Sequence, residues 1–154
     1  MSYSPIPASV QRTVAEDTTT TTWGSGTTTL TLTTPSPHAS AYAEWVVGTP
    51  TRITGKKPGY YLAITRVSHG NDSSGATVTP HVHLNGSTVA AGSASNNSST
   101  TNNYNLSAVY VSATPLAVGD YFEAKVVASA GTTRATASQQ FLTVVFIPTE
   151  AYPA

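Results

Sequence analysis

The sequence contains no cysteine, and only 9% of its 154 residues are charged. Without cysteine the chain can form no disulfide, no thiolate nucleophile and no cysteine metal site. The seven basic and seven acidic residues give a formal net charge of zero, and the basic residues are scattered along the chain. Binding to nucleic acid requires a basic patch that contacts phosphates, so we expect no nucleic-acid partner.

Long apolar runs are also missing. No segment approaches the length of about 20 apolar residues that spans a bilayer, so we expect no membrane partner. The first 22 residues are rich in Ser, Thr and Pro, and they lack an apolar core of signal-peptide length. This composition predicts a protein that is not exported by that route.

Catalytic motifs are equally scarce. The acidic residues form no recognisable pair and there is no Gly-x-Ser-x-Gly motif, so we expect neither an enzyme nor a cofactor. His81 and His83 lie two residues apart, on one face of a predicted strand. Three copies of the chain around a symmetry axis could use them to bind a metal ion. No carboxylate pattern accompanies them, so the favoured interpretation is two ordinary strand residues.

Ser and Thr are the most abundant feature of the sequence, with 45 residues, alongside 11 Gly and 10 Pro. This composition favours strands, tight turns and polar loops over helices. Short segments of alternating or largely apolar residues predict strands at 27–34, 41–47, 52–54, 60–67, 76–84 (broken at Pro80), 87–91, 104–113, 121–127 and 141–147. Asn85-Gly86 predicts a hairpin turn, because both turn positions require positive φ. The fold class is therefore all-β, with antiparallel sheets.

The last two predicted strands differ in pattern. In 121–127 apolar and polar residues alternate, which is typical of a strand with one buried face. In 141–147 both faces are largely apolar: one carries Leu142, Val144 and Phe146, and the other carries Phe141, Val145 and Ile147 together with Thr143. A sandwich of two sheets covers only one of these faces, so the second indicates contact with another subunit.

Composition divides the chain into three parts. Residues 1–22 are predicted to form an extended N-terminal arm, because they combine Pro-rich sequence with a run of five threonines at 18–22. Residues 23–148 are predicted to form the domain, and 149–154 a C-terminal tail. Within the domain, the polar segment 92–103 is predicted to be an exposed loop.

Four segments occur in a characteristic order: Pro58-Gly59-Tyr60-Tyr61, His83-Leu84-Asn85-Gly86, residues 116–128 around Gly119-Asp120-Tyr121, and strand 141–147. In this order and spacing they resemble the trimeric jelly rolls of the tumour-necrosis-factor and complement-globular-head type. The resemblance spans about residues 26–148 of the sequence. It implies an antiparallel β-sandwich with jelly-roll topology that forms a homotrimer.

Within that family, the Thr-rich arm and the missing signal peptide resemble phage head decoration proteins, also called cement proteins. The resemblance implies a structural virion protein that is made in the host cytoplasm and binds the major capsid protein on the outer capsid surface. We assign the trimer interface to Tyr121, Leu142, Val144 and Phe146, and capsid binding to the arm, through Pro5, Ile6, Val10 and Val14.

The alternative is a fibre-tip or receptor-binding module that binds carbohydrate. Aromatic side chains stack on sugar rings, and the candidates are Trp23, Tyr42, Tyr104 and Tyr110. The same residues could instead fill the core or contact another subunit. We expect a fibre tip to be attached to a longer shaft, so capsid decoration is the favoured interpretation.

Overall fold

The computed structural model describes residues 12–17, 22–35, 41–69, 75–96, 104–130, 132–133 and 140–147. In these ranges the regular secondary structure consists of strands, as the composition predicted. None of the described residues belongs to a helix long and apolar enough to cross a membrane.

The described strands are named in chain order. They are β1 (Arg12–Asp17), β2 (Thr22–Trp23), β3 (Gly26–Thr29), β4 (Thr34–Pro35), β5 (Ala43–Glu44), β6 (Arg52–Gly55), β7 (Tyr60–His69), β8 (Thr77–Leu84), β9 (Ser87–Ala91), β10 (Ser95–Asn96), β11 (Tyr104–Val111), β12 (Tyr121–Ala128), β13 (Thr132–Thr133) and β14 (Gln140–Ile147).

The first sheet has five antiparallel strands in the order β11-β7-β14-β1-β4. Strand β1 comes from the predicted arm, and it is part of the sandwich: Ala15 is fully buried, and Thr13 Oγ1 donates to the Ala43 carbonyl oxygen at 2.6 Å. A strand that packs half of its side chains into the core is not a free arm. Residues 12–17 of the predicted arm are therefore a strand of the first sheet.

The second sheet has the order β10-β8-β12-β6-β5, with β9 also paired to β8 and β3 also paired to β12. Strand β8 continues through Pro80, where the sequence predicted a break. The Pro80 carbonyl oxygen accepts from Gly92 N at 2.9 Å, on the side of β8 that faces the sheet edge. The N–H that proline lacks would point to the same side, so the ladder with the central strand β12 is intact.

The core lies between the two sheets. Its largest fully buried apolar side chains come from both sheets, from β2, which pairs with β13, and from the loop after β3: Trp23, Leu30, Leu32, Ile53, Tyr61, Phe122 and Leu142. Strand β3 ends at Thr29, earlier than predicted, yet Leu30 and Leu32 still point inward. Their N–H groups donate to the Ala124 and Pro50 carbonyl oxygens at 2.9 and 2.8 Å, respectively. These buried N–H groups are therefore hydrogen-bonded although the segment is not part of a regular strand ladder.

The hairpin predicted at Asn85-Gly86 joins β8 and β9, and both residues have positive φ, of 50° and 83°. The Asn85 side chain also fastens this turn to the next one. Its Nδ2 donates to Asp120 Oδ1 at 2.8 Å, while Asp120 Oδ2 accepts from Ala117 N at 2.8 Å. Two turns at one end of the sandwich are thus held together by one carboxylate.

The predicted loop 92–103 is partly built into the second sheet. Ser95 and Asn96 form β10 and pair with Val78 and Thr77 of β8. Gly92 is held against Pro80, so the loop begins later than predicted, and residues 97–103 lie outside the described residues. The predicted tail 149–154 lies outside them as well.

Candidate assembly interface

The outer face of the first sheet is unusually apolar. Alternation along β7, β11, β14 and β1 sends one set of side chains into the core and the other set outward. The outward set includes eight apolar residues, which we call the apolar face: Val14, Leu62, Ile64, Val109, Val111, Phe141, Val145 and Ile147.

Strand register makes the apolar face continuous. One row runs from Val145 on β14 through Leu62 on β7 to Val111 on β11. The adjacent row runs from Val14 on β1 through Thr143 on β14 and Ile64 on β7 to Val109 on β11, with Thr143 as its one polar member. Val109 and Val111 are 55% and 57% exposed, respectively. A contiguous apolar surface of this kind is typical of a site for protein contact.

The predicted trimer-interface residues lie elsewhere. Leu142 and Val144 are fully buried and Phe146 is 6% exposed, so all three side chains belong to the core of a single subunit. Tyr121 is on the second sheet, with the Arg52 Cζ atom 4.7 Å above its ring centroid. The sequence showed correctly that β14 has two apolar faces, and the inward one, to which it assigned the interface, packs within the subunit.

Two opposite charges flank Phe141 on the apolar face. Arg66 on β7 and Glu16 on β1 both face Phe141 of β14 in the ladder, from opposite sides. The Arg66 Cζ atom lies 5.4 Å from the centroid of the Phe141 ring, within reach of a cation–π contact. Glu16 and Arg66 are both partly buried.

The outer face of the second sheet is polar and charged. Glu123 and Lys125 form an ion pair of 3.3 Å on β12, beside His83 and His81 of β8. The His83 ring has a partner at each nitrogen: Nδ1 donates to the Gly86 carbonyl oxygen, and Nε2 is 3.0 Å from Thr88 Oγ1. Among the described residues no group of three or more His, Cys, Asp or Glu side chains could hold a metal ion. These histidines also lie on the sheet opposite the apolar face.

Burial, with a contribution from the neighbouring His83, lowers the pKa of His81 below its ordinary value of 6.5. The unfolded chain then binds a proton more readily than the folded protein does, so folding stability falls as the pH drops below that ordinary value. We expect a lower Tm at about pH 5.5 than at about pH 7.5, and a smaller difference between the two in His81→Gln. Equal pH dependence in parent and variant, measured by thermal unfolding, would contradict this.

The aromatic residues proposed for sugar binding are mostly packing residues. Trp23 is fully buried, Tyr42 stacks on Phe146 with ring centroids 4.4 Å apart, and Tyr110 packs against Phe122 at 6.4 Å. The side chain of Tyr104 is outside the described part of the structure. These contacts leave few of the proposed aromatic surfaces available for a sugar ring.

The predicted capsid-binding residues fall into two groups. Pro5, Ile6 and Val10 lie outside the described residues. Val14 is in β1, paired with Thr143 of β14, where it contributes to the apolar face. The sequence signal for β1 was weak, because the inward residues of RTVAED are Thr13, Ala15 and Asp17, which do not form an apolar stripe.

Solved structures show the fold. The chain is similar to murine APRIL, with a TM-score of 0.65 and 16% identity over 88% of this chain and 98% of that one. It is similar to Eiger TNF from S. frugiperda, with a TM-score of 0.60 and 15% identity over 93% of this chain and 96% of that one. The predicted antiparallel jelly roll of the tumour-necrosis-factor type is thus confirmed. No protein-family model matches the sequence, and a comparison with curated proteins finds no match.

Proposed function

We propose that the protein is a structural virion protein that decorates the outside of a capsid as a homotrimer and stabilises the head. The observation that carries the proposal is the apolar face, a continuous set of apolar side chains that no element of the described chain covers. Burying such a face against copies of itself removes apolar area from water and stabilises an oligomer. The sandwich then acts as a rigid building block.

The partner proposed for the trimer is the major capsid protein. The chain has a formal net charge of zero, so long-range electrostatic attraction contributes little to binding. Affinity then depends on buried contact area and backbone pairing, which an extended segment supplies. We assign this role to residues 1–11, with Pro5, Ile6 and Val10 as apolar anchors. Three such segments on one trimer can raise affinity by about two to four orders of magnitude through avidity.

Removal of residues 1–10 is expected to leave the trimer folded and to abolish most capsid binding. The truncation ends before β1, so both the sheet and the apolar face are retained. The measurement is binding of the parent and of the truncated chain to capsids that lack the protein, with circular dichroism and oligomeric mass as controls. The parent should bind in hundreds of copies, whereas a fibre tip would bind in a handful.

Two results would count against this proposal. Truncated protein that binds capsids as strongly as the parent would move the capsid contact from the removed residues to the sandwich. Parent protein that binds capsids in only a few copies, or not at all, would reject decoration. A truncation that starts at Trp23 is a poorer test, because it also removes β1 and exposes the edge of β14.

A further inference from the structure

One row on the outer face of the first sheet carries two opposite charges, Glu16 and Arg66, with Phe141 between them. Glu16 faces Phe141 in the β1–β14 ladder, and Phe141 faces Arg66 in the β14–β7 ladder. The two opposite charges thus flank one aromatic ring at the same level along the strands. Since neighbouring strands lie about 4.8 Å apart, the two backbones are about 10 Å apart.

Neither charge is paired with another residue in the described part of the chain. The ion pairs there are Glu44 with Lys56 and Glu123 with Lys125, and no hydrogen bond joins the side chain of Glu16 or Arg66 to a described residue. Both residues are nevertheless partly buried at the border of the apolar face. Charged groups in such a position lose water on association, and they contribute favourably only when they meet the opposite charge.

We propose that Arg66 of one subunit pairs with Glu16 of the next, so that this pair fixes the direction and level at which the apolar faces associate. The inference rests on the proposed homotrimer. Rotation about an axis roughly parallel to the strands keeps each residue at its own height along that axis. Arg66 on β7 and Glu16 on β1 lie in one row on opposite sides of the face, so their charges are complementary in a head-to-tail ring.

Among the described residues, Arg12 is the other charge on this part of the face, and it does not compete with Arg66 for Glu16. Arg12 is on β1 in the row of Val145, four residues from Glu16. At about 3.3 Å per residue this is roughly 13 Å along the strand, so Arg12 lies at a different level from Arg66. In a ring where each residue keeps its height along the axis, Arg66 of one subunit thus lies near Glu16 of the next and far from Arg12. In a two-fold dimer with antiparallel strands, the order of these heights is reversed between the two subunits.

The test exchanges the two charges and measures, for each variant, the concentration at which the trimer dissociates. Arg66→Glu should place two carboxylates together and raise that concentration at least about tenfold, and Glu16→Arg should do the same with two cations. The double variant with both changes should recover to within about threefold of the parent. Lys57→Glu, on an exposed turn, is the control for the change in net charge and should have no effect.

The possible outcomes separate the pairing from the homotrimer. A trimeric parent whose dissociation is unchanged in Arg66→Glu would overturn the pairing alone. Single variants that weaken the trimer without recovery in the folded double variant would also overturn it, with folding checked by circular dichroism. A parent that is monomeric at all concentrations would overturn the homotrimer and the pairing together. Weakened single variants with recovery in the double variant support the pairing.

Discussion

Val144→Asp is expected to unfold the protein, whereas Val145→Asp is expected to leave a folded monomer. Val144 is fully buried between the sheets, and the next residue points to the apolar face. An unpaired carboxylate in the core costs several kcal/mol, against a total stability of about 5–15 kcal/mol for a typical domain. In Val145→Asp the carboxylate is partly solvated in the monomer, and it opposes burial only when subunits associate.

The measurements are far-UV circular dichroism and oligomeric mass for both variants. We expect Val145→Asp to weaken association by about a hundredfold or more, which corresponds to about 3 kcal/mol. The matched control is Val118→Asp, because Val118 is 64% exposed on a turn outside the apolar face, and it should remain trimeric. A folded, monomeric Val144→Asp together with a trimeric Val145→Asp would restore the interface assignment made from the sequence.

Gly92→Ala is expected to be the most destabilising of the glycine-to-alanine substitutions at the described glycines. A Cβ atom at Gly92 would overlap the carbonyl oxygen of Ser107 and would lie 2.8 Å from Pro80 Cγ. Ser107 is in the middle of β11, where its backbone is held in the ladder with β7, so the oxygen cannot turn away as a flexible side chain would. The corner where the edges of the two sheets meet must then move apart.

We expect Gly92→Ala to lower the free energy of unfolding by about 3 kcal/mol or more, measured by denaturant titration. The matched control is Gly48→Ala, because nothing lies within 4 Å of a Cβ atom there. This exposed change should alter stability by no more than about 0.5 kcal/mol. Equal stability of the two variants would show that the two sheet edges are not in close contact at Gly92.

In β14 the local sequence pattern predicts which residues share a face, but not which face points to the core. The alternation in FLTVVFI correctly separates Leu142, Val144 and Phe146 from Phe141, Val145 and Ile147. Both sets are apolar, so nothing local distinguishes the set that faces the core. That choice depends on the second sheet, whose strand β12 supplies Phe122 and Val126 to the core beneath β14.

Strand β1 is the clearest miss, and its cause is also non-local. The residues that it buries, Thr13, Ala15 and Asp17, are small or polar, so they give no period-two apolar signal. Their burial follows from pairing with β14, which is more than 120 residues away in the sequence, as in the pair of Thr13 with Val144. The charged row of Glu16 and Arg66 is invisible for the same reason, because it appears only when β1, β14 and β7 are aligned.

The sequence by itself determined the fold class, most of the long strands, the Asn85-Gly86 hairpin and the two-sided character of β14. These features are set by neighbours within a few residues, through side-chain alternation and turn geometry. Only the tertiary structure decided that β1 joins the sheet, that Val145 and not Val144 faces outward, and that Leu62, Ile64, Val109 and Val111 form one surface with it. These depend on strand order and register, which arise from contacts between distant segments and leave no mark in any local window.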